Sequence, residues 1–486
     1  MAAPSEHAEH AARGPQQASE QGAQPGRISR WFPLSASEGF SQWWAGQSPM
    51  AAEHRVLSFI PHLLKPPTLA PAGSAPAADS LHDPYGPRRW HSQAVELGGS
   101  GRALNEFSVE RVGEPVAENL VMLHGYGAGL AFFYRNFESL SRAEGWKVYA
   151  LDLLGMGRSS RPSFKIHAKD KAGKIHEAES WFVDALEEWR IKRGLETFTL
   201  LGHSLGGYLA VAYALKYPGH LNKLILASPV GIPEDPYAVN DAMPDPQEST
   251  MANEFTQDAS ETAQPSPADS ASPKDPPRRR LPAWLYYLWE ANMISPFTFV
   301  RWSGPLGPRL VSGWTSRRFF MLPEEEAQAL HDYSYALFRQ RGSSEYALAY
   351  LLAPGAFARS PLIRRIAGVG RQPLPSSSST PSTPTSPSQV LPPKKETGIP
   401  IIFMYGENDW MDVAGGFAAQ EAIRNQRSRS LLAASEQERK NDRGECKVVI
   451  INKAGHHVYL DGWEQFNQVM REEMEDVRRR NKEFKG

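Results

Sequence analysis

The chain has 486 residues, a formal net charge of −1 and one cysteine, Cys446. A single cysteine excludes a disulfide framework and a cysteine-rich metal site, and the balanced charge indicates no attraction to nucleic acid. No apolar run is long enough to span a bilayer. No apolar segment with a cleavage site opens the chain, and its first residues include glutamates, so we expect neither secretion nor a clean mitochondrial presequence.

The N-terminal region, residues 1–90, is predicted to be largely disordered. Within it, the stretch RISRWFPLSASEGFSQWWAG is rich in aromatic rings. These rings are Trp31, Phe32, Trp43 and Trp44. Tryptophan favours the interface between membrane and water, so we expect this segment to contact a membrane surface. The alternative is that the rings pack against the folded core.

Six short apolar runs predict the strands of a sheet. They lie at residues 119–125, 146–155, 198–204, 221–231, 399–406 and 446–452. Segments 177–194 and 205–218 have the apolar spacing of helices. This alternation predicts an α/β fold in which a mostly parallel sheet carries helices on both faces. Its two halves occupy residues 100–233 and 398–486.

The region between the two halves is predicted to contain one folded part and two unfolded ones. Residues 281–372 are rich in helix-forming and aromatic residues and predict an inserted helical cap. The segments 234–280 and 373–397 are rich in Pro, Ser and Thr, so we expect disordered insertions there. Residues 426–445 are also predicted not to pack. A second aromatic stretch follows three arginines at 278–280 and suits either a membrane surface or packing within the cap.

The stretch Gly202-His203-Ser204-Leu205-Gly206 fits the pattern G-x-S-x-G and lies between a predicted strand and a predicted helix. In that context the pattern predicts a sharp turn that projects Ser204 as a nucleophile. Gly202 and Gly206 would let the strand and the helix approach each other without a colliding side chain. The alternative is an ordinary glycine-rich turn.

An oxyanion hole is predicted at His124-Gly125-Tyr126-Gly127, which follows an earlier strand. Such a turn would aim the backbone N–H of Tyr126 at a substrate carbonyl oxygen, and Leu205 would supply the second N–H. The alternative is a phosphate-binding loop, but the Lys-Ser or Lys-Thr of such loops does not follow.

Two carboxylates compete for the position that orients a catalytic base, Asp409 and Asp412. We favour Asp409, because it lies three residues after Gly406 at the end of a predicted strand. The predicted base is His456, which comes first in the loop after the last strand. Its neighbour His457 is predicted to pack against the core or to point to solvent.

Asp461 follows His456 with four residues between them. The run Asp461-Gly462-Trp463-Glu464 fits a helix N-cap with an acidic partner three residues later, which is a capping box. We favour this structural role for Asp461 over a role in acyl transfer.

Five stretches together resemble the α/β-hydrolase fold family. They are LHGYGAGLAFFYRN, ALDLLGMGRSSRP, LGHSLGGYLAVAYALKYP, SPFTFVRWSGPLGPRLV and AGHHVYLDGWEQFNQ. Within that family the chain is similar to the group that contains the lipid-droplet lipase co-activator, the N-acyl-phosphatidylethanolamine lysophospholipase and the fungal mitochondrial cardiolipin deacylases.

The resemblance implies acyl-ester lipid substrates and a triad of Ser204, Asp409 and His456. Members with His-x4-Asp are assigned lysophosphatidic acid acyltransferase activity, which here would involve His456 and Asp461. Some animal relatives keep only the second acid position, which leaves Asp412 open as an alternative.

We therefore expect a serine hydrolase that deacylates a phospholipid, either cardiolipin or a related glycerophospholipid, without a metal or a cofactor. The alternatives are a lysophosphatidic acid acyltransferase and a non-catalytic adaptor at a lipid surface. We expect peripheral association with a membrane and a mitochondrial location, with the cytoplasm or the lipid droplet as alternatives.

Overall fold

The computed structural model describes residues 33–62, 83–235, 239, 295–353, 356–375 and 394–485. In this part of the chain one sheet of eight strands forms the centre of the fold. The strands are β1 (Arg88–Glu96), β2 (Ala103–Arg111), β3 (Glu118–Leu123), β4 (Trp146–Leu151), β5 (Phe198–His203), β6 (Leu221–Ala227), β7 (Pro400–Gly406) and β8 (Glu445–Ile451).

The strand order across the sheet is β1-β2-β4-β3-β5-β6-β7-β8. Strand β2 pairs antiparallel with β1 and β4, and the remaining pairings are parallel. The predicted mostly parallel sheet is confirmed. The six predicted apolar runs all contain strands. Five of these strands are central and largely buried, which requires continuous apolar sequence, and the sixth, β8, lies at the edge of the sheet.

Helices cover both faces of the sheet. Those in the described residues are α1 (Ala36–Ala45), α2 (Pro49–Leu57), α3 (Tyr134–Leu140), α4 (Lys171–Lys192), α5 (Leu205–Lys216), α6 (Pro296–Trp302), α7 (Gly307–Arg318), α8 (Glu324–Phe338), α9 (Leu348–Leu351), α10 (Val413–Leu432), α11 (Glu436–Lys440), α12 (Val458–Asp461) and α13 (Trp463–Lys485).

The apolar core has two parts, one on each face of the sheet. Successive residues of a strand point to opposite faces. Accordingly Leu200 packs in one cluster with residues of α4, α5 and α10, whereas Leu201 packs in the other with residues of α3 and α13. None of the described helices is both long enough and apolar enough to cross a membrane.

The helices α6, α7 and α8 are inserted between β6 and β7 and form a cap above the loop that follows β3. Where the cap meets this loop, the ring of Phe297 stacks on the rings of Tyr126 and Phe338. The distances between ring centroids are 5.1 Å and 4.4 Å. Most of the two predicted insertions, together with the arginines at 278–280 and the aromatic stretch after them, lies outside the described residues.

The prediction that residues 426–445 do not pack is wrong. Helix α10 continues to Leu432, and helix α11 begins after Ser435, whose hydroxyl accepts the N–H of Glu438 while the Glu438 carboxylate accepts the N–H of Ser435. Strand β8 begins at Glu445. The segment has few apolar residues because its helices are largely exposed. The prediction failed because low apolar content does not by itself indicate lack of structure.

The prediction of disorder for residues 1–90 does not hold for residues 36–57. Helix α1 begins with a capping box between Ser35 and Glu38, and helix α2 has Ser48 as its N-cap and proline at its first position. Ala52 and Val56 of α2 are buried in the same apolar cluster as the cap. These helices are stable because a distant part of the chain supplies their apolar partners.

A buried carboxyl group ties α2 to the core. Glu53 contacts Arg158 and accepts a hydrogen bond of 3.0 Å from Asn105 Nδ2, and Asn105 also donates to Asp152 Oδ2 at 2.8 Å. Burial, followed by the neighbouring charge of Asp152, raises the pKa of Glu53 from 4.5 to about 8, although Arg158 opposes the shift. Neutral Glu53 is therefore the favoured form in the folded protein near neutral pH.

This raised pKa predicts a pH dependence of stability. Between pH 4.5 and about 8 the folded protein keeps a proton on Glu53 that the unfolded chain has lost. The stabilisation that this proton gives is complete below pH 4.5 and is lost as the pH rises through about 8. We expect the unfolding temperature of Glu53→Gln to fall less than that of the wild type between those pH values, because an amide does not ionise.

The measurement is thermal unfolding followed by circular dichroism across this pH range. Glu436→Gln, the same change at an exposed glutamate of α11, serves as the matched control and should keep the wild-type pH dependence. Equal pH dependence in wild type and Glu53→Gln would contradict the assignment.

Candidate active site

Ser204 lies at the junction between β5 and α5, in a conformation that residues with a side chain seldom adopt. Its φ is 52° and its ψ is −116°. The backbone is held there by hydrogen bonds from Ser204 N–H to the Ala227 carbonyl at 3.0 Å and from Gly207 N–H to the Ser204 carbonyl at 2.9 Å. Strained backbone conformations of this kind are found mainly at functional sites.

Two glycines permit this turn, as their spacing around Ser204 indicates. A Cβ atom at Gly202 would collide with the backbone carbonyl of Gly206, and one at Gly206 would lie 2.6 Å from the carbonyl oxygen of Leu123. The strand, the helix and the loop after β3 therefore meet at backbone distance. No other residue type fits this contact without shifting main-chain atoms.

The loop after β3 lies directly against the nucleophile. A Cβ atom at Gly125 would lie 3.0 Å from Ser204 Cβ and 2.9 Å from His203 Nδ1. The backbone of Tyr126 in this loop and that of Leu205 at the first turn of α5 thus flank Ser204. Two donors at such positions suit the stabilisation of a developing oxyanion.

Two buried side chains hold this loop. His124 donates from Nδ1 to the Gly125 carbonyl at 2.7 Å, while its Nε2 accepts the N–H of Leu153 at 3.1 Å. Burial lowers the pKa of His124, which keeps the ring in this neutral tautomer. On the other side of the loop, Asp152 Oδ1 accepts the N–H of Leu130 at 2.7 Å.

No role was predicted for Asp152 from the sequence. The available signal was its position directly after β4, within the stretch ALDLLGMGRSSRP that carries part of the resemblance. A carboxylate that accepts several backbone N–H groups organises a loop, and Asp152 also accepts the N–H of Arg158 at 2.7 Å.

His456 and Asp409 are brought together by the loops after β8 and β7. His456 Nδ1 lies 3.1 Å from Asp409 Oδ1, and Asp409 Oδ1 also accepts the N–H of Met411 at 3.0 Å. Burial alone would raise the pKa of Asp409, but the charge and hydrogen bond of His456 outweigh it and lower that pKa. Asp409 therefore stays ionised and can orient and stabilise a protonated His456.

The second candidate acid, Asp412, lies at the N-terminal boundary of α10. Among the described residues His456 has its carboxylate contact with Asp409 and none with Asp412. The two acids are three residues apart, but only Asp409 faces the imidazole, because the chain turns into α10 between them.

Three histidines form a cluster beneath the cap. The ring of His203 lies 4.8 Å from that of His456 and 4.9 Å from that of His457, and His203 Nε2 donates to the His456 carbonyl at 3.1 Å. His456 Nε2 has no hydrogen-bond partner among the described residues, Ser204 included. This nitrogen is therefore available to accept a proton, and contacts of this kind often tighten only when substrate binds.

His457 is half-buried and packs against other rings, so of the two placements predicted for it the structure shows packing rather than full exposure. Its ring lies 6.1 Å from that of Phe132. Burial, followed by the charge of Arg318, holds the pKa of His457 well below its usual range. The ring therefore stays neutral.

The prediction that Asp461 caps a helix is wrong. Its carboxylate accepts the N–H of Gly455 at 3.2 Å and faces Arg318 of the cap at 3.4–3.5 Å. Asp461 lies at the end of the short helix α12, and α13 begins two residues later at Trp463. The carboxylate turns back toward the histidine loop, away from the N–H groups that a cap would accept.

Comparison with known proteins identifies the family to which this fold, with its strand-to-helix turn at Ser204, belongs. The model of the alpha/beta hydrolase fold family matches residues 118–462. The chain belongs to the α/β-hydrolase fold family. Among the described residues of this hydrolase-fold chain, no group of three or more His, Cys, Asp or Glu side chains could hold a metal ion.

Individual relatives confirm the predicted group within the α/β-hydrolases. The chain is 32% identical to a 1-acylglycerol-3-phosphate O-acyltransferase of Arabidopsis thaliana, over 89% of this chain and 79% of the relative. It is 30% identical to the human 1-acylglycerol-3-phosphate O-acyltransferase ABHD5, over 73% and 76%. It is 29% identical to a mouse (Lyso)-N-acylphosphatidylethanolamine lipase, over 73% and 78%.

The two acids after β7 give a direct test of the site geometry. We expect Asp409→Asn to lower kcat/KM for p-nitrophenyl butyrate by about 10³- to 10⁴-fold, because the amide no longer stabilises the charged imidazole. We expect Asp412→Asn, the matched control, to change it by less than about threefold, because no contact with His456 is lost. A larger loss from the Asp412 variant would assign the orienting role to Asp412.

Proposed function

We propose that the protein is a serine hydrolase that cleaves acyl esters of phospholipids, with Ser204, His456 and Asp409 as its triad. The observation that carries the proposal is the hydrogen bond of 3.1 Å between His456 and Asp409, next to the strained turn that presents Ser204. Nucleophile, acid and base come in the order Ser204, Asp409 and His456, which is the chain order in hydrolases with a G-x-S-x-G turn.

In the proposed reaction Ser204 Oγ attacks the ester carbonyl carbon while His456 Nε2 takes the hydroxyl proton. The N–H groups of Tyr126 and Leu205 stabilise the negative charge that develops on the carbonyl oxygen. His456 then protonates the leaving alcohol, so the ester C–O bond breaks and an acyl-enzyme remains. A water molecule, deprotonated by His456, releases the fatty acid and restores Ser204.

The substrate class is supported by the relatives, which include 1-acylglycerol-3-phosphate O-acyltransferases and a (Lyso)-N-acylphosphatidylethanolamine lipase. We propose a glycerophospholipid, with cardiolipin or a related lipid as the first candidates. The same names favour a second function, in which a lysophospholipid replaces water and receives the acyl group. If cardiolipin is the substrate, we propose that the protein is located in the mitochondrion.

We further propose that one face of the cap rests on a lipid surface. Helix α1 packs against α7 and the turn before it, and Phe40 and Trp44 of α1 stack with ring centroids 6.2 Å apart. The exposed large apolar side chains on these elements and their neighbours are Phe40, Trp44, Phe299, Trp302, Leu306, Leu310, Phe320 and Met321. An exposed apolar patch of this kind is typical of surfaces that bind membranes or partners.

The first test concerns catalysis. A fluorophosphonate probe should label the wild type and leave Ser204→Ala unlabelled, and Ser204→Ala should lose about 10³-fold or more of the hydrolysis of a phospholipid panel that includes cardiolipin. Labelling of neither protein would support the third candidate, a non-catalytic adaptor.

The same assay separates hydrolysis from transfer. With labelled acyl-CoA and lysophosphatidic acid present, release of free fatty acid from phospholipid supports the hydrolase. If acylated lysophosphatidic acid forms only when acyl-CoA is present, and no lipid releases free fatty acid, the protein is an acyltransferase and the hydrolase proposal is wrong. Both outcomes need Ser204, so Ser204→Ala is the control in each arm.

The second test concerns the membrane. Trp44 is 75% exposed, whereas Trp43 is half-buried. We expect Trp44→Ser to weaken binding to liposomes of anionic phospholipid by about tenfold, because a ring of this size loses its interfacial burial. Leu432→Ser, which removes another exposed apolar side chain at the end of α10, is the matched control. Equal flotation of wild type and Trp44→Ser would count against this surface.

A further inference from the structure

Arg318 is a buried arginine whose hydrogen-bonding capacity is largely unused. It ends α7 of the cap, and its side chain is 7% exposed. Its Nη1 and Nη2 lie 3.5 Å and 3.4 Å from the two oxygens of Asp461, longer than the 2.7–2.9 Å typical of charge-assisted bonds. Its Nε has no hydrogen-bond partner among the described residues.

The geometry of this pair leaves one buried edge of the guanidinium without a hydrogen-bond partner among the described residues. Asp461 takes the edge formed by the two Nη atoms, with one oxygen opposite each nitrogen. The neighbouring edge, which Nε shares with one Nη, carries two parallel N–H donors. Two such donors match the spacing of the oxygens of a phosphate group, and this is the reason that arginine is common in phosphate sites.

Further unsatisfied polar atoms lie around Arg318. Burial, followed by the charge of Arg318, lowers the pKa of His457, and the charge of Arg318 also acts on Tyr459. His457 Nδ1 and Tyr459 Oη are both buried without a hydrogen-bond partner among the described residues. Buried polar atoms without partners are uncommon and costly, so their concentration beside the proposed base indicates a polar ligand.

The position of Asp461 connects Arg318 to the proposed base. Its carboxylate accepts the N–H of Gly455, the residue that directly precedes His456. Asp461 thus holds the loop of the base and the cap arginine at the same time. A ligand group bound on Arg318 would lie on the cap side of the histidine cluster, to one side of the ester that Ser204 attacks.

We propose that Arg318 binds the phosphate group of the phosphorylated lipid that the site processes, with Asp461 as the positioning residue that holds the guanidinium. This inference rests on the proposed function and deepens it, because it names the group that the site recognises. Binding of the phosphate by Arg318 makes the enzyme selective for acyl glycerophosphates over neutral acylglycerols. A site built to bind a polar group discriminates strongly against a substrate that lacks it.

The test compares two substrates with the same acyl chain, lysophosphatidic acid and monoacylglycerol. Wild type should prefer the phosphate-bearing lipid, and Arg318→Met should lower the ratio of the two kcat/KM values by about 30-fold, mainly through KM. Arg318→Lys, which keeps the charge but not the fork, should lower the ratio by an intermediate factor. Arg364→Met, at an exposed arginine paired with Glu234, is the matched control and should leave the ratio unchanged.

Asp461→Asn tests the positioning role. It should lower the same ratio, and the double variant Asp461→Asn with Arg318→Met should show no loss beyond that of Arg318→Met, because both changes act through one guanidinium. If the double variant loses as much of the ratio as the two single variants together, Asp461 does not act by positioning Arg318. An equal loss on both substrates in Arg318→Met and Arg318→Lys would overturn the phosphate assignment and leave Arg318 a structural residue.

A binding arm separates failure of this inference from failure of the proposed function. In Ser204→Ala, which cannot turn over, calorimetry should detect lysophosphatidic acid binding that is lost when Arg318→Met is added. Retained binding would overturn the inference even if Ser204 proves catalytic, and lost binding would support it even if hydrolysis fails. Binding of inorganic phosphate at Arg318 without binding of lysophosphatidic acid would overturn the assignment to a lipid.

Discussion

The strained backbone of Ser204 is the constraint around which the rest of the structure is built. A residue with a Cβ atom at φ 52° and ψ −116° persists only if its surroundings over-determine it. Strands β5 and β6 hold it through the bond from Ser204 N–H to Ala227. Glycines at 202 and 206 remove the two Cβ atoms that would push strand, helix and oxyanion loop apart. Leu200 and Leu201 then anchor β5 to the apolar clusters on both faces.

The cap and the N-terminal helices act as one layer above this turn. Glu53 of α2 reaches Asn105 and Arg158 of the core, Asn105 reaches Asp152, and Asp152 holds the N–H of Leu130 in the oxyanion loop. A chain of buried polar groups is stable only when its members are satisfied together. Removal of α2 would therefore affect the loop beside Ser204 even though no residue of α2 belongs to the proposed triad.

The parts of the structure that follow from local pattern could be predicted, and those that depend on distant partners could not. Strands β3 to β7 are largely buried on both faces and β8 is partly buried, so their apolar runs are visible in the sequence. Strands β1 and β2 were not predicted, because polar residues interrupt any continuous apolar run in both. Helix α2 was not predicted, because the apolar partners of Ala52 and Val56 lie far along the chain, in the cap and the core. Arg318 escaped because an arginine at the end of a helix looks like an exposed charge until its burial is known.

The spacing His-x4-Asp has a different meaning in three dimensions from the one that it suggests in sequence. In sequence it pairs His456 with Asp461, yet the carboxylate that touches the imidazole is Asp409, which comes from another strand. Asp461 instead joins the backbone of the base loop to Arg318 of the cap. In the two proposed reactions water and a lysophospholipid would compete for the same acyl-enzyme, and only the lysophospholipid carries a phosphate. An arginine held by Asp461 on the cap side would favour that acceptor without taking part in proton transfer. In the proposed function, the motif would therefore bias the enzyme toward acyl transfer through recognition of the acceptor.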